Sequence, residues 1–126
     1  MRLKSKIVKK PWGSEEWLVE GKKYALKFLN VTKGSRLSLQ YHKIKEESWY
    51  ILKGKIKVRY NDDEFIMKEK EILHLPTGTV HRIEAIEDST ILEVSTPELW
   101  DVVRVEDDYK RSRNEKDNDP TNAYKD

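Results

Sequence analysis

Three side chains of types that bind metal ions lie close together in the first half of the chain. Gln40 and His42 are two positions apart, so on a β-strand both project from one face, and Glu47 follows after a short polar turn. A fourth candidate, His81, follows a Pro-Thr-Gly turn and begins another apolar run. The pattern predicts a metal site made of an amide, a carboxylate and two imidazoles. These ligands suit Zn²⁺, Mn²⁺, Fe²⁺, Co²⁺ or Ni²⁺ without choosing among them.

Polar residues near these candidates also occupy unusual positions. The alternation from Tyr24 to Thr32 places Lys27 on the same side as apolar residues, and an inward lysine is costly unless it is paired or acts on an anion. Arg36 and Ser38 alternate with leucines, so we expect them to share the face of Gln40. A polar face of this kind indicates a solvated pocket inside the protein.

The elements that must position these residues are short strands. An apolar run at 16–20 is followed by a turn and a strand at 24–32, as in a hairpin. We expect the alternating segment 80–86 to pair with the last strand, 90–95. Eight or nine strands separated by frequent turns, with no long helix before residue 97, predict an all-β fold, a small jelly-roll β-barrel.

Composition restricts the classes of protein to which the chain can belong. The 126 residues suit a single domain, with 37% hydrophobic and 38% charged residues. The net charge of +2 is too balanced to indicate a nucleic-acid partner, and no long apolar stretch predicts a membrane span. There is no cysteine, so thiolate ligands and disulfides are excluded. We expect a cytoplasmic protein with a solvated basic arm at 1–10 and a flexible tail at 112–126.

Two spaced motifs resemble the two-part cupin signature. The first places Gly34, Gln40, His42, Glu47 and Gly54 at the signature's spacing, with Gln40 where the usual first histidine stands, and the second is Pro-x-Gly-x-x-His ending at His81. The segment 37–42 is also similar to the Ser-x-Gln-x-His segment of phosphomannose isomerases. Over roughly residues 10–111 the chain resembles the cupin domain of type II mannose-6-phosphate isomerases. The resemblance implies a single cupin domain, which we expect to span 1–111.

The resemblance implies an activity and roles for several residues. The expected reaction converts mannose 6-phosphate into fructose 6-phosphate through a cis-enediol, with a metal on the two reacting oxygens. Lys27 coincides with a family lysine and is the first candidate for stabilising charge or moving the proton, although a lysine reaching past the strand to solvent fits equally. Cupin barrels commonly pair through an edge sheet, so the resemblance also implies a homodimer, for which the apolar N-terminal strands would be suitable. Guanidinium groups suit a phosphate monoester, so the candidates for substrate binding are Arg36, Ser38, Arg82 and Arg104.

Two other functions remain open on the sequence. The chain could be a non-catalytic cupin that binds a sugar or other small acid, or another metal-cupin enzyme such as an oxygenase or an epimerase. Type II sequences often carry a histidine-rich run where this chain has Lys43, Ile44 and Lys45. The glycine-rich segment of a nucleotidyltransferase is missing, so we expect no guanylyl transfer from this chain. His74 has no motif partner and is expected to be structural.

Overall fold

The computed structural model describes residues 1–111, and these residues form eleven β-strands and no helix. No helix in this part of the chain is long and apolar enough to cross a membrane. The predicted tail at 112–126 lies outside the described residues. The strands are β1 (Lys6–Lys10), β2 (Gly13–Glu20), β3 (Ala25–Val31), β4 (Leu39–Tyr41), β5 (Glu47–Lys53), β6 (Lys55–Tyr60), β7 (Asp63–Lys68), β8 (Ile72–Leu75), β9 (His81–Ala85), β10 (Ser89–Ser95) and β11 (Val103–Glu106).

The strands form two antiparallel sheets around one core. The first sheet has the order β1-β2-β3-β10-β5-β8, and the second has the order β11-β4-β9-β6-β7. In β3, alternate residues from Ala25 to Val31 are buried, so Lys27 faces inward as predicted. The all-β, jelly-roll prediction is therefore confirmed. The inner faces bury mainly large apolar side chains, among them Trp12, Leu29, Trp49, Ile51, Ile56, Val58, Ile83 and Ile91.

The predicted pairing of 80–86 with 90–95 is wrong. β9 lies in the five-stranded sheet beside β4 and β6, whereas β10 lies in the six-stranded sheet between β3 and β5. Alternation shows which residues face the core, but both sheets share that core, so the pattern does not assign a strand to a sheet.

The chain also changes sheets at Gly54, between β5 and β6, where φ is +90°. A Cβ on Gly54 would lie 2.5 Å from the backbone oxygen of Asp88.

The second half of the predicted basic arm at 1–10 is a strand whose residues remain largely exposed. Residues Lys6–Lys10 form β1, which pairs along its whole length with β2 at the edge of the six-stranded sheet. Ile7 remains 60% exposed, so burial of apolar side chains does not account for the strand. Backbone hydrogen bonding to β2 accounts for the strand. Lys10, its last residue, is buried, and its Nζ lies 3.8 Å from Oε2 of Glu15.

Candidate metal centre

One extra residue before β4 decides which side chains face the interior. Gln40 pairs with His81, and Arg36 pairs with Glu84, so the first strand advances four residues while its partner advances three. Such a β-bulge reverses the alternation of the faces. Leu37 and Gln40 therefore line the same interior cavity, whereas Arg36 lines a cavity on the outside. The prediction that Arg36 shares the face of Gln40 is wrong for this reason.

The four side chains predicted as metal ligands line one interior cavity. Ligand atoms of His42, Glu47 and His81 all lie within 4.8 Å of one another, and the three side chains are buried. Nε2 of His81 is 3.3 Å from Oε1 of Glu47, and Nε2 of His42 is 3.7 Å from Oε2. Gln40 lines the same cavity and is 6% exposed. The fold therefore brings two strands of one sheet and one strand of the other together at this point.

Backbone carbonyls fix the orientation of both imidazoles. Nδ1 of His81 lies 2.8 Å from the carbonyl oxygen of Thr79, and Nδ1 of His42 contacts the carbonyl oxygen of Asp101. A carbonyl only accepts, so each Nδ1 carries a proton and Nε2 is the atom that each ring presents to Glu47. Burial outweighs the attraction of Glu47 and lowers the pKa of His81 to about 4. At neutral pH that imidazole is uncharged, the form that binds metal ions.

Glu47 is held as a carboxylate by cationic and N–H neighbours. Nζ of Lys45 lies 3.0 Å from Oε2, and the indole Nε1 of Trp49 donates to Oε1 at 3.2 Å. Burial alone would raise the pKa of Glu47, but Lys45 and then His42 outweigh burial and lower it well below its usual value. The site thus contains an ionised acid beside a neutral imidazole.

Further buried charges extend from the site across the interior. Nζ of Lys45 lies 3.2 Å from Oε2 of Glu93, and Nζ of Lys27 lies 3.7 Å from that oxygen. Lys27 also donates a 3.0 Å hydrogen bond to Glu15. Burial lowers the pKa of Lys27, but Glu15 and Glu93 outweigh burial, so the pKa is raised and the ammonium stays charged. Lys27, which the sequence predicted as the catalytic residue, lines the same cavity as the candidate ligands and forms ion pairs with Glu15 and Glu93.

Sequence reasoning missed Lys45, Glu93 and Glu15. For Glu93 a signal was present, because it occupies the same alternating face as Ile91 and Ser95, so a charged residue stood on a core-facing strand position. No comparable signal marked Lys45, since it lies in a short polar loop whose conformation depends on a distant segment.

That distant segment is the connection at 96–102. The carboxylate of Asp101 accepts hydrogen bonds from the backbone N–H groups of Lys43, Ile44 and Lys45 at 3.2, 2.6 and 2.9 Å. Leu99 and Val102 of the same connection line the cavity. The connection therefore covers the cavity, fixes the loop that carries Lys45 and orients His42.

The arginines predicted to bind phosphate lie in two different places. Arg36 donates hydrogen bonds of 2.6 and 2.8 Å to Asp108, and Nη2 of Arg82 lies 3.4 Å from the same carboxylate. Arg36 and Arg82 both line the outer cavity, which has a volume of about 240 Å³. Arg104 is buried and pairs with Gln40 across β11 and β4, so it lies on the face of Gln40. Ser38 is fully buried near the bulge.

The donor set and the space fit a divalent transition metal. The candidate ligands supply two imidazole nitrogens, one carboxylate and one amide oxygen, a mixture of borderline hardness. The cavity volume is about 30 Å³. A single water needs roughly 10–15 Å³ on this scale, so the cavity accommodates an ion with one or two waters.

Comparison with known proteins gives relatives along most of the chain. The profile of the family described as "Mannose-6-phosphate isomerase C-terminal" matches residues 2–111. The alginate biosynthesis protein AlgA of Pseudomonas aeruginosa is 32% identical over 110 residues, covering 83% of this chain and 23% of AlgA. The mannose-1-phosphate guanylyltransferase ManC of Salmonella typhimurium is 31% identical over 109 residues, covering 82% and 23%. The chain thus spans about a quarter of the length of these relatives.

Solved structures with low sequence identity share the fold. KdgF from Halomonas sp. superimposes with a TM-score of 0.67 at 15% identity, covering 75% of this chain and 88% of KdgF. An RmlC-like cupin from Shewanella frigidimarina gives a TM-score of 0.69 at 13% identity, covering 74% and 84%. These likenesses, together with the family match, confirm the cupin prediction.

Proposed function

Because the chain belongs to the mannose-6-phosphate isomerase C-terminal family, we propose that it is a metal-dependent aldose–ketose isomerase of sugar phosphates. Mannose 6-phosphate and fructose 6-phosphate are the proposed pair. The observation that carries the proposal is the convergence of His42, Glu47 and His81 in one buried cavity with an inward-facing, charged Lys27. A reaction that moves a proton between neighbouring carbons needs both charge stabilisation and a dry, ordered site.

The residues proposed to hold the metal are Gln40, His42, Glu47 and His81. The metal is one of Zn, Mn, Fe, Co or Ni, and its contribution is to polarise the carbonyl and the neighbouring hydroxyl of the sugar. Both histidines are oriented through Nδ1, so the protein supplies fixed Nε2 donors without rearranging.

Lys27 is proposed to stabilise negative charge that develops on the sugar oxygens. Its raised pKa keeps it an ammonium at neutral pH, so it donates hydrogen bonds and does not take up the carbon-bound proton. Glu15, at 3.0 Å, holds the lysine in place. This arrangement favours the charge-stabilising role for Lys27 over a lysine that extends to solvent.

We expect the connection at 96–102 to move when a sugar phosphate enters. A cavity of about 30 Å³ holds an ion and one or two waters, which is far less than a hexose phosphate needs. Leu99 and Val102 line the cavity and belong to this connection, so its displacement would open the site. Arg104 is the best-placed of the predicted phosphate-binding residues because it shares the face of Gln40. Ser38 stays a proposed contact, whereas Arg36 and Arg82 would need to leave Asp108.

A coupled assay tests the proposal directly. The 126-residue chain, loaded with Mn²⁺ or Zn²⁺, is incubated with mannose 6-phosphate and the formation of fructose 6-phosphate is followed. We expect turnover that disappears with a chelator and returns with added metal. The proposal fails if the metal-loaded protein interconverts no member of a panel of aldose and ketose phosphates.

The small cavity favours a second candidate function, a metal-containing cupin that binds a small acid without turnover. An ion with one open position and room for one or two waters suits a carboxylate or a small hydroxy acid. Calorimetric titration with small acids separates the candidates, since a binder shows metal-dependent binding with no interconversion of any sugar phosphate.

A homodimer is proposed on the outer face of the six-stranded sheet. Leu92 pairs with Phe28 on one side and with Tyr50 on the other, and Tyr50 pairs with Ile72, so four apolar side chains form a row across neighbouring strands. Ile72 is 70% exposed at the end of this row. Light scattering coupled to gel filtration should give twice the mass of 15.0 kDa, and Ile72→Lys should reduce the mass to that of one copy.

The cytoplasmic location also stays a prediction.

A further inference from the structure

One buried ammonium is shared by two carboxylates next to the candidate metal centre. Nζ of Lys45 lies 3.0 Å from Oε2 of Glu47 and 3.2 Å from Oε2 of Glu93. The three side chains are no more than 5% exposed, so water screens these charges poorly. Between two carboxylates at hydrogen-bonding distance, the amine is held as an ammonium.

The ammonium of Lys45 is paired with Glu47, the carboxylate that would also neutralise the charge of a bound metal ion. Oε2 of Glu47, the oxygen bound by Lys45, is also the one that faces Nε2 of His42 at 3.7 Å. Oε1 faces Nε2 of His81 and accepts a hydrogen bond from Trp49. A divalent ion placed between the two imidazoles must therefore compete with the Lys45 ammonium for the same carboxylate. Two cations beside one acid repel each other, which weakens binding of both.

Glu93 provides the ammonium with an alternative partner. The hydrogen bond from Lys45 to Glu93 already exists, so a shift of the ammonium toward Glu93 requires no new contact. Lys27 lies 3.7 Å from Glu93 as well, and it also bonds to Glu15, so neighbouring charges remain paired after the shift. The ammonium of Lys45 thus has two carboxylate partners, Glu47 and Glu93. A metal ion could take its place at Glu47 while the ammonium stays paired with Glu93.

We propose that Lys45 is an internal cation that competes with the metal for Glu47, and that Glu93, by accepting the displaced ammonium, sets the metal affinity. Lys45 and Glu93 are positioning residues in this scheme, because they act on the metal through Glu47. The inference rests on the metal site of the proposed function, and it does not depend on which reaction, if any, the site performs.

Metal titrations of two variants test the proposal, because their metal affinities should shift in opposite directions from that of the wild type. Glu93→Gln removes the alternative acceptor, so Lys45 stays on Glu47, and we expect Mn²⁺ and Co²⁺ to bind about 10–100-fold more weakly. The double variant Lys45→Met with Glu93→Gln removes the competitor and keeps the net charge of the wild type. We expect it to bind these ions at least about tenfold more tightly than wild type. Calorimetry gives the affinities, and the visible spectrum of bound Co²⁺ reports whether the ligand set is unchanged.

A matched pair on the outside of the protein controls for charge alone. Lys57 and Glu64 form a 3.2 Å ion pair with both side chains about half exposed. Glu64→Gln and the double variant Lys57→Met with Glu64→Gln make the same charge changes there, and metal affinity should stay within about twofold of wild type.

The possible outcomes distinguish this inference from the proposed function. The inference is overturned if Glu93→Gln and the double variant shift metal affinity in the same direction, or if neither shifts it. Should the double variant not fold, as judged by circular dichroism, Lys45→Gln with Glu93 intact must show the tighter binding. A wild type that binds metal but converts no sugar phosphate defeats the isomerase proposal and leaves this inference intact. A wild type that binds no metal defeats both.

Discussion

The imidazole rings of His42 and His81 lie 5.1 Å apart, centroid to centroid, with their planes tilted by 47°. Each ring is anchored at Nδ1 by a backbone carbonyl, and each Nε2 faces the carboxylate of Glu47. His81 begins β9 and His42 directly follows β4, both of the five-stranded sheet, whereas Glu47 begins β5 of the other sheet. An ion held by all three would connect the two sheets, so metal binding and stability should be linked.

Removal of either histidine should abolish tight metal binding without unfolding the protein. His42→Ala and His81→Ala each delete one nitrogen donor, and we expect the affinity for Mn²⁺ or Zn²⁺ to fall at least about 100-fold. His74→Ala serves as the control because its side chain is 58% exposed and pairs with Ser48 and Glu46 outside the cavity. Equal losses of affinity in His74→Ala and His81→Ala would contradict the assignment.

Added metal should raise the melting temperature of the wild type through the same linkage. At a free metal concentration 100 times the dissociation constant, binding stabilises the folded state by about 2.7 kcal/mol. Thermal unfolding followed by circular dichroism, with and without excess Mn²⁺, measures the shift. His81→Ala should show no shift, and a comparable shift in that variant would mean that the ion binds elsewhere.

Asp101→Asn should destabilise the protein by about 1–3 kcal/mol, because the carboxylate accepts three backbone hydrogen bonds from the 43–45 loop. An amide offers one oxygen and no charge, so at least one of these N–H groups loses its acceptor. Urea unfolding measures the change, and Asp62→Asn, in an exposed turn, is the matched control. Equal stability of Asp101→Asn and wild type would show that the 43–45 loop does not depend on this acceptor.

Alanine at two glycines with positive φ should give very different losses of stability. At Gly54 an added Cβ would meet the Asp88 carbonyl oxygen at 2.5 Å, and we expect a loss of about 2–4 kcal/mol. At Gly34, where φ is +84°, nothing lies within 4 Å, so only the backbone conformation costs energy, about 1 kcal/mol. Denaturant unfolding compares the two variants. Similar losses would mean that the change of sheets at Gly54 is not tightly packed.

Acid should release the segment that follows β11. Arg36 lowers the pKa of Asp108, and Arg111 outweighs burial to lower that of Asp107. Because both folded-state pKa values lie below the unfolded values, this stabilisation is present above about pH 4 and is lost as the pH falls through the folded values. Carboxyl-carbon NMR titration should give both midpoints below about 3.9. Arg36→Gln should return only Asp108 toward that value, and a return of both would contradict separate pairing.

Local sequence predicted the inward orientation of Lys27 because strand alternation depends only on neighbouring residues. It misassigned Arg36, because one extra residue before β4 reverses the faces, and that residue is recognisable only from the pairing with β9. It also paired β9 with β10, since two sheets that share a core leave the same pattern of buried residues.

The amino-acid sequence by itself determined the strand-rich fold, the family and the four residues that line the candidate metal centre, because these depend on local alternation and on the spacing of chemically distinctive residues. Only the tertiary structure decided the surroundings of that centre: the ammonium of Lys45 shared by Glu47 and Glu93, and the contact of Asp101 with the 43–45 loop. The reason is physical, since pairing between charges depends on distances of 3–4 Å between strands that are far apart in the chain.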